Sequence, residues 1–550
     1  MIEFDNDKGF EKAKELRNST RLRKYKSSKY PEVLNVINYL YDEMVDVYDL
    51  TLDRESNVKK LKHHIEFFVQ NLYKAYCNDP TRVIAYSRDR NTYTGKKSKY
   101  KMKFGLSFRY SVDKGKDGKP VIGFLEKQGY IETFSFQYDR NNPNNSYRSR
   151  MRATPKLIDL IVKQHQVTED MVEPDTSDEE TIIVKGVKPK PKIIYVTENG
   201  KRKRKKIQGR RKICKTPDTP IVREMRKNLE IINQVMDKAK ITLDVSEEDL
   251  RKLNARMRND LDPNKQLIDF SRKRLHRVFL DRRLDRGGRF YGPWYQNIPK
   301  EYRQHIMIND APTMELDYSA LHPNLLYHLA GADPPKDDLY ELDGYSKDTR
   351  NFMKAMFLRM INSAAREDAK GSIREAAFLK GKIAIPEELG NLEDKYLDPL
   401  IDKFLEKHKA IKDYIFTDKD LGNQLQYIDS TIAETILVAF AKEGIPVLPL
   451  HDSFRIDIRL YDGLEKVMRL VIQTKFGKQI NISDEWVPCM TKMITIIVDR
   501  IINRDMKEEE IDDLIQYVES KGLSTISKMF RKLKDDPDLL FRKQEEKPAS

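Results

Sequence analysis

Two aspartates interrupt apolar, strand-like stretches of the chain. In "IPVLPLHDSFRIDI", Val447 to Leu450 read as a buried strand, and Phe454, Ile456 and Ile458 alternate as a half-buried one. His451 and Asp452 fall between them, which puts Asp452 at the tip of a hairpin, because an unpaired carboxylate sunk in the core would cost several kcal/mol. In "TMELDYSALHPNLLYHLAG" a short strand from Met314 to Leu316 ends at Asp317, and a helix from Ala320 to Ala330 is closed by Gly331. Carboxylates at the ends of two adjacent strands can hold two magnesium ions roughly 3.5 to 4 Å apart. One ion would activate an attacking hydroxyl; the other would clamp a triphosphate and neutralise the leaving pyrophosphate. Either aspartate alone is explained as well by a cap or a turn.

The segments around the pair add to it. In "YSKDTRNFMKAMFLRMINSAA", Ser346 is placed as an N-cap with Asp348 in the first turn of a helix running through Arg350 and Lys354. Their i, i+4 spacing puts both cations on one face, as a triphosphate clamp needs, although a solvated face explains two cations equally. Upstream, "LDRGGRFYGPWYQNIPKEYR" combines glycines that permit close backbone approach with Arg289, Gln296 and Arg303, which can reach phosphates or base edges. A tight structural loop with surface arginines is the plainer reading of that segment.

The elements that must position these residues belong to a chain of 550 residues, long enough for two or three domains, with 39% hydrophobic residues to fill their cores. A formal charge of +15 favours a polyanionic partner such as nucleic acid. Cys77, Cys214 and Cys489 lie far apart and form neither a disulfide framework nor a zinc pattern. The polar start "MIEFDNDKGF" is no signal peptide and the longest apolar windows are too short to span a bilayer, so a cytoplasmic protein without membrane contact is expected.

An N-terminal module is expected over 1–165. Val58, Leu61, Ile65, Phe68 and Leu72 recur at helical spacing, and "YSRDRNTYTGKKSKYKMKF" mixes rings and cations suited to nucleic acid or to a solvated loop. After these, a helix with Val121, Ile122, Phe124 and Leu125 inward stops at Gly129, a hairpin follows, and Thr154-Pro155 caps and starts another helix. Helix, hairpin, helix with an arginine-rich return strand resembles a winged helix; a generic α+β module fits as well. Residues 166–220 read as a charged linker or arm that includes "KRKRKKIQGRRK", although the flanks "TIIV" and "IIYV" could pair as a hairpin. A helical region spans 221–275, a core 276–500, and charged helices with a tail 501–550.

In order and context, these segments resemble the palm and fingers of single-subunit nucleotide polymerases, the group of family-A DNA polymerases and phage-type RNA polymerases. "DYSALHPNLLYHLAG" is similar to motif A, "RNFMK" to motif B and "HDSF" to motif C, and the resemblance covers roughly Leu275 to Ile458. It implies an α+β right hand, with an antiparallel palm, helical fingers and a thumb from 221–275. Asp317 and Asp452 would hold two Mg2+ ions, while Arg350 and Lys354 would bind incoming phosphates, Lys354 also protonating pyrophosphate. Arg289, Gln296 and Arg303 would touch the template-primer duplex and His451 would lie beside the primer end. "QNIP" and "DYS" look like the DNA enzymes; "DRGGRFY" and "HDSF" look closer to the RNA enzymes. Asn362-Ser363 stands where motif B carries tyrosine-glycine, in the substrate-binding region.

Sugar choice turns on His322, five residues after Asp317. The related enzymes place a glutamate, a tyrosine or, for RNA, a glycine there, and a bulky histidine favours deoxynucleotides, although it can also hydrogen-bond a hydroxyl. The expectation is a template-directed DNA polymerase using Mg2+, a DNA template-primer and nucleoside triphosphates, without a recognisable proofreading domain. The alternatives are an RNA polymerase or primase with the same metal chemistry, and a non-catalytic replication-initiation protein that binds DNA.

Overall fold

The computed structural model describes residues 16, 19–52, 54–87, 93, 121–135, 149–176, 179–198, 201–207, 209–259, 268–379, 381, 383–417, 420–450, 452–484, 497–498, 500–520 and 524–537. The fold is mixed α+β, with mostly antiparallel strand pairing, and divides into two compact units: Met1–Glu179 with Glu247–Asp269, and Glu180–Ser246 with Phe270–Ser550. Among the described residues no helix is long and apolar enough to cross a membrane.

In the first unit, β1 (Ser19–Arg21), β2 (Val83–Ala85), β3 (Ile131–Phe134) and β4 (Arg150–Ala153) form a sheet of order β1-β2-β4-β3. Helices α1 (Pro31–Tyr48) and α2 (Glu55–Asn78) pack together. Proline suits the first position of α1, and the periodic Leu61, Ile65, Phe68 and Leu72 of α2 are buried. The α3 helix (Val121–Lys127) buries Val121, Ile122, Phe124 and Leu125 and stops where Gly129 turns left-handed at φ +70°. The β3–β4 hairpin and α4 (Pro155–Ile158) follow in the expected order. Thr154 does not cap α4, however: its hydroxyl donates to Gly129 O at 2.7 Å and ties the two helix ends together. Most of the ring-and-cation stretch before α3 lies outside the described residues.

Of the charged span, the residues from Glu180 on belong to the second unit and form strands where a linker was expected. β5 (Ile182–Lys185) sits inside a sheet of order β11-β10-β5-β8, with β8 (Ile213–Cys214), β10 (His276–Phe279) and β11 (Gly287–Tyr291). "TIIV" pairs in parallel with "HRVF", while "IIYV" belongs to β6 (Lys192–Glu198) and pairs with the basic β7 (Lys201–Ile207), so the two flanks do not meet each other. Alternation signals a strand and leaves its partner open.

The α5 helix (Pro220–Lys238) has a working cap, Thr219 Oγ1 accepting from Val222 N–H, and buries Val222, Met225, Leu229, Ile232 and Met236. The helix Glu247–Asn259, expected beside it, belongs to the first unit. A second sheet has order β14-β15-β13-β12-β9, built from β9 (Ile241–Leu243), β12 (Ile306–Ile308), β13 (Ala311–Tyr318), β14 (Leu448–Leu450) and β15 (Ser453–Asp457), with β16 (Ile482–Asp484) also on β13. Around it stand α6 (Leu321–Leu329), α7 (Lys347–Met360), α8 (Arg366–Arg374), α9 (Asp394–Lys407), α10 (Leu421–Lys442) and α11 (Tyr461–Phe476), and α12 (Glu508–Ser520) packs on α13 (Ser524–Asp535).

Candidate active site

Antiparallel pairing of β13 with β15 sets Asp317 opposite Ser453, so Asp452, in the tight turn from β14, lies next to the residue that faces Asp317. The two-residue period sends Met314, Leu316, Phe454 and Ile456 into the core and puts Thr313, Glu315 and Asp317 on one face with Ser453, Arg455 and Asp457. Charges on that face are compensated in the strand interior. The fully buried Arg455 donates to Thr313 O at 3.1 Å, Thr313 Oγ1 at 3.0 Å and Glu315 Oε2 at 3.1 Å, and Ser453 donates to Glu315 Oε1 at 2.6 Å.

Two residues along, Asp317 receives no such help. Its Oδ1 is buried without a hydrogen-bond partner. Burial first, and then the charge of Asp452, push its carboxyl up to about 7, against the pull of Lys354. A buried carboxylate this poorly compensated, with a second one acting on it, is a place for cations.

Lys354 lies exposed on α7 and, among the described residues, makes no hydrogen bond or ion pair. Arg350, one turn earlier, donates from Nε (2.9 Å) and Nη2 (2.6 Å) to Asp338 Oδ2. The α7 helix begins after Ser346 and runs through Arg350 and Lys354 as expected, but Ser346 does not cap it, because its hydroxyl donates to Glu388 at 2.8 Å instead.

The segment holding Asp338 is strapped in place: Lys407 pairs with Asp337 and donates to Asp338 O (2.7 Å) and Glu341 O (2.8 Å), and His408 Nε2 donates to Leu339 O at 2.8 Å. A carbonyl only accepts, so Nδ1 of this ring accepts from Tyr327 OH at 2.8 Å. Burial holds His408 down at about 4, hence neutral. Tyr340, in the same segment, is buried under the Arg350 guanidinium; burial and Asp338 raise its phenol pKa, with smaller contributions from Asp452 and Asp317.

Arg289, on β11, closes the other side. It donates from Nε (2.7 Å) to Asp429 Oδ2, pairs with the same oxygen through Nη2 (2.6 Å), and stands 3.4 Å from His322 Nε2. Although burial opposes its charge, Asp429 and Asp452 together raise the Arg289 pKa. Burial and then Arg289 lower His322 to about 4, so this ring is neutral. Beneath them the fully buried Arg277 donates to Gly288 O (2.8 Å), Glu434 Oε2 (2.6 Å) and Ser430 Oγ (2.9 Å), between the rings of Phe279 and Phe290. That pins α10 to the β10–β11 hairpin. The approach is close enough that a Cβ on Gly288 would stand 2.8 Å from Ser430 Oγ.

Asp317, Asp452, Lys354, Arg289 and His322 therefore share one electrostatic neighbourhood, with Arg350 beside it. Other expected site residues do not join them. Gln296 spends its amide on Phe290 O (3.2 Å) and Pro449 O (2.9 Å), tying β11 to β14. Asn362 donates to Leu358 O and packs on Gly422 at the start of α10. Arg303 ends the short helix Lys300–Arg303, with Nε buried and unpartnered. His451 lies outside the described residues. Asp429 and Tyr340 were missed, yet Asp429 had a signal: it sits on the stripe Leu425, Asp429, Ile432, Ile436, a lone acid on the apolar face of a helix.

No protein-family model matches this chain, and no curated protein is significantly similar to it.

Proposed function

We propose that the second unit is a template-directed nucleotidyltransferase of the right-hand type, extending a primer 3′-hydroxyl with deoxynucleotides. The observation that carries this reading is the register of β13 on β15, which brings Asp452 next to the poorly compensated Asp317, on which the charge of Lys354 also acts. Among the described residues no group of three or more His, Cys, Asp or Glu side chains is gathered as a metal cage. Magnesium needs none in phosphoryl-transfer sites, where one or two carboxylates and the substrate's own phosphates serve. The unpartnered Oδ1 of Asp317 beside Asp452 fits that demand, and these two residues would hold the ions. When bound, magnesium supplies an acidified primer hydroxyl and charge to offset the departing pyrophosphate.

The chain's own residues do the rest. Lys354 is placed to meet the triphosphate and to give a proton to the leaving group. Arg350, held along its Nε–Nη2 edge by Asp338, keeps Nη1 for a phosphate oxygen. Arg289, fixed by Asp429, offers a cation to the primer-template, and the neutral His322 beside it narrows the space for a sugar. In this reading the β13–β15 sheet is the palm, α7 to α9 belong to the fingers, and the first unit helps hold nucleic acid through its winged-helix-like hairpin.

Primer extension with magnesium and labelled primer tests the assignment: Asp452→Asn should abolish it, and extension at the wild-type rate by that variant would refute the reading. Offering dNTPs and rNTPs separately, with and without primer, separates a DNA polymerase from an RNA polymerase or primase. A wild-type chain that binds DNA and extends nothing would instead be a replication-initiation protein.

A further inference from the structure

The β6–β7 ribbon is set apart by its backbone pairing. It is a two-stranded sheet of its own, seven residues paired with seven and so about 24 Å long, emerging between β5 and β8. Its base is fixed: Gly186 N–H donates to Lys212 O at 2.8 Å, Arg211 donates to Gly186 O at 3.0 Å and pairs with Asp281, and Gly209 lies so close to Pro189 that a Cβ would stand 2.9 Å from the proline ring. The ribbon thus projects from a rigid root. That root is on the β8 side of a four-stranded sheet whose opposite edge, β11, carries Arg289, about 14 Å away at the usual strand spacing.

Its sequence carries seven cations, Lys192 and Lys201 through Lys206, against the single carboxylate of Glu198. The register places Lys201, Lys203 and Lys205 on one face, and Arg202, Arg204 and Lys206 on the other. A ribbon resting on its own protein shows one apolar face, and one lying flat on a polyanion needs cations on one face only. Solubility would be met by mixed charges. Cations on both faces are satisfied together where phosphates flank the ribbon on two sides. A duplex groove does this, and the major groove of B-DNA, about 12 Å wide, admits a two-stranded ribbon.

We infer that the β6–β7 ribbon enters the major groove of duplex DNA, gripping the double-stranded product at a distance from the reacting end. The choice of duplex DNA as partner rests on the polymerase reading.

The test uses the full chain, a fluorescein-labelled 24-base-pair DNA duplex and the matching single strand, without nucleotide or magnesium. Binding is measured against salt for wild type, for Lys201→Gln/Lys203→Gln/Lys205→Gln and for Arg202→Gln/Arg204→Gln/Lys206→Gln. Each triple variant should lower the log–log salt slope for the duplex by about 2 to 3, at roughly 0.9 for every phosphate no longer neutralised. Each should leave single-strand binding near the wild-type value. Dimethyl sulfate probing of guanine N7, which lies in the major groove, should show protection by the wild-type chain, a readout that needs no variant. Unchanged slopes, a change confined to one triple variant, equal loss on single strands, or unprotected N7 positions would each overturn groove entry. Because catalysis is not measured, a chain inactive in primer extension can still pass this test and an active one can fail it.

Discussion

Asparagine at position 317 should make the metal-free protein more stable in alkaline buffer and not in acid. The Asp317 carboxyl moves from 3.8 to about 7 on folding, about 3 units, which at 1.36 kcal/mol per unit corresponds to roughly 4 kcal/mol. The pKa is raised, so the favourable contribution is present below about pH 4, where the group is protonated in both states, and is lost as pH rises through about 7. Wild type therefore carries the cost above neutrality. The variant lacks the charge but keeps a buried amide to desolvate, leaving a net gain of about 2 kcal/mol. Thermal unfolding in EDTA at pH 5, 6, 7 and 8 should show Asp317→Asn level with or below wild type at pH 5 and a few degrees above it at pH 8. Added magnesium should then close the gap by stabilising wild type alone. A difference between the two proteins that stays constant from pH 5 to 8 would refute the account of Asp317 as a buried, repelled carboxylate.

Arg277→Met should lower the thermal midpoint by an amount equivalent to about 3 kcal/mol, because Glu434 loses its buried cation while Ser430 Oγ and Gly288 O lose a donor; a midpoint within about 1 °C of wild type would show the pin to be dispensable. Gly288→Ala and Gly331→Ala both force alanine into left-handed backbone, but only the former meets atoms within 4 Å. The Gly331 variant should cost about 1 kcal/mol and the Gly288 variant clearly more, with equal midpoints for the two speaking against the close approach of α10 to the β10–β11 hairpin.

Local pattern made part of this legible. A strand carrying Asp317, although longer at both ends than expected, the turn at Asp452, the helix through Arg350 and Lys354, and the left-handed glycines at 129 and 331 each follow from short-range sterics and alternation. What escaped depends on partners distant in sequence. The Ser346 hydroxyl is taken by Glu388, 42 residues on, which no capping rule can see. Gln296 looked available for nucleic acid until Pro449 O, 153 residues away, used its amide. Tyr340 acquires its place from a strap made by Lys407 and His408, and β5 finds β10 across nearly a hundred residues. Asp429 is the exception, since its misplacement on an apolar stripe was visible without coordinates.

The strand bearing Asp317 is finished late. Leu316 to Tyr318 pair with Asp484 to Ile482, and Ser319 N–H donates to Asn481 O at 2.8 Å. During synthesis these three residues leave the ribosome with bare hydrogen-bonding edges, and the edge that meets β16 waits for more than 160 further residues. A chain cut short after Phe476 would keep both aspartates and still present an open strand edge to its neighbours, so premature termination should yield aggregates in place of a smaller enzyme.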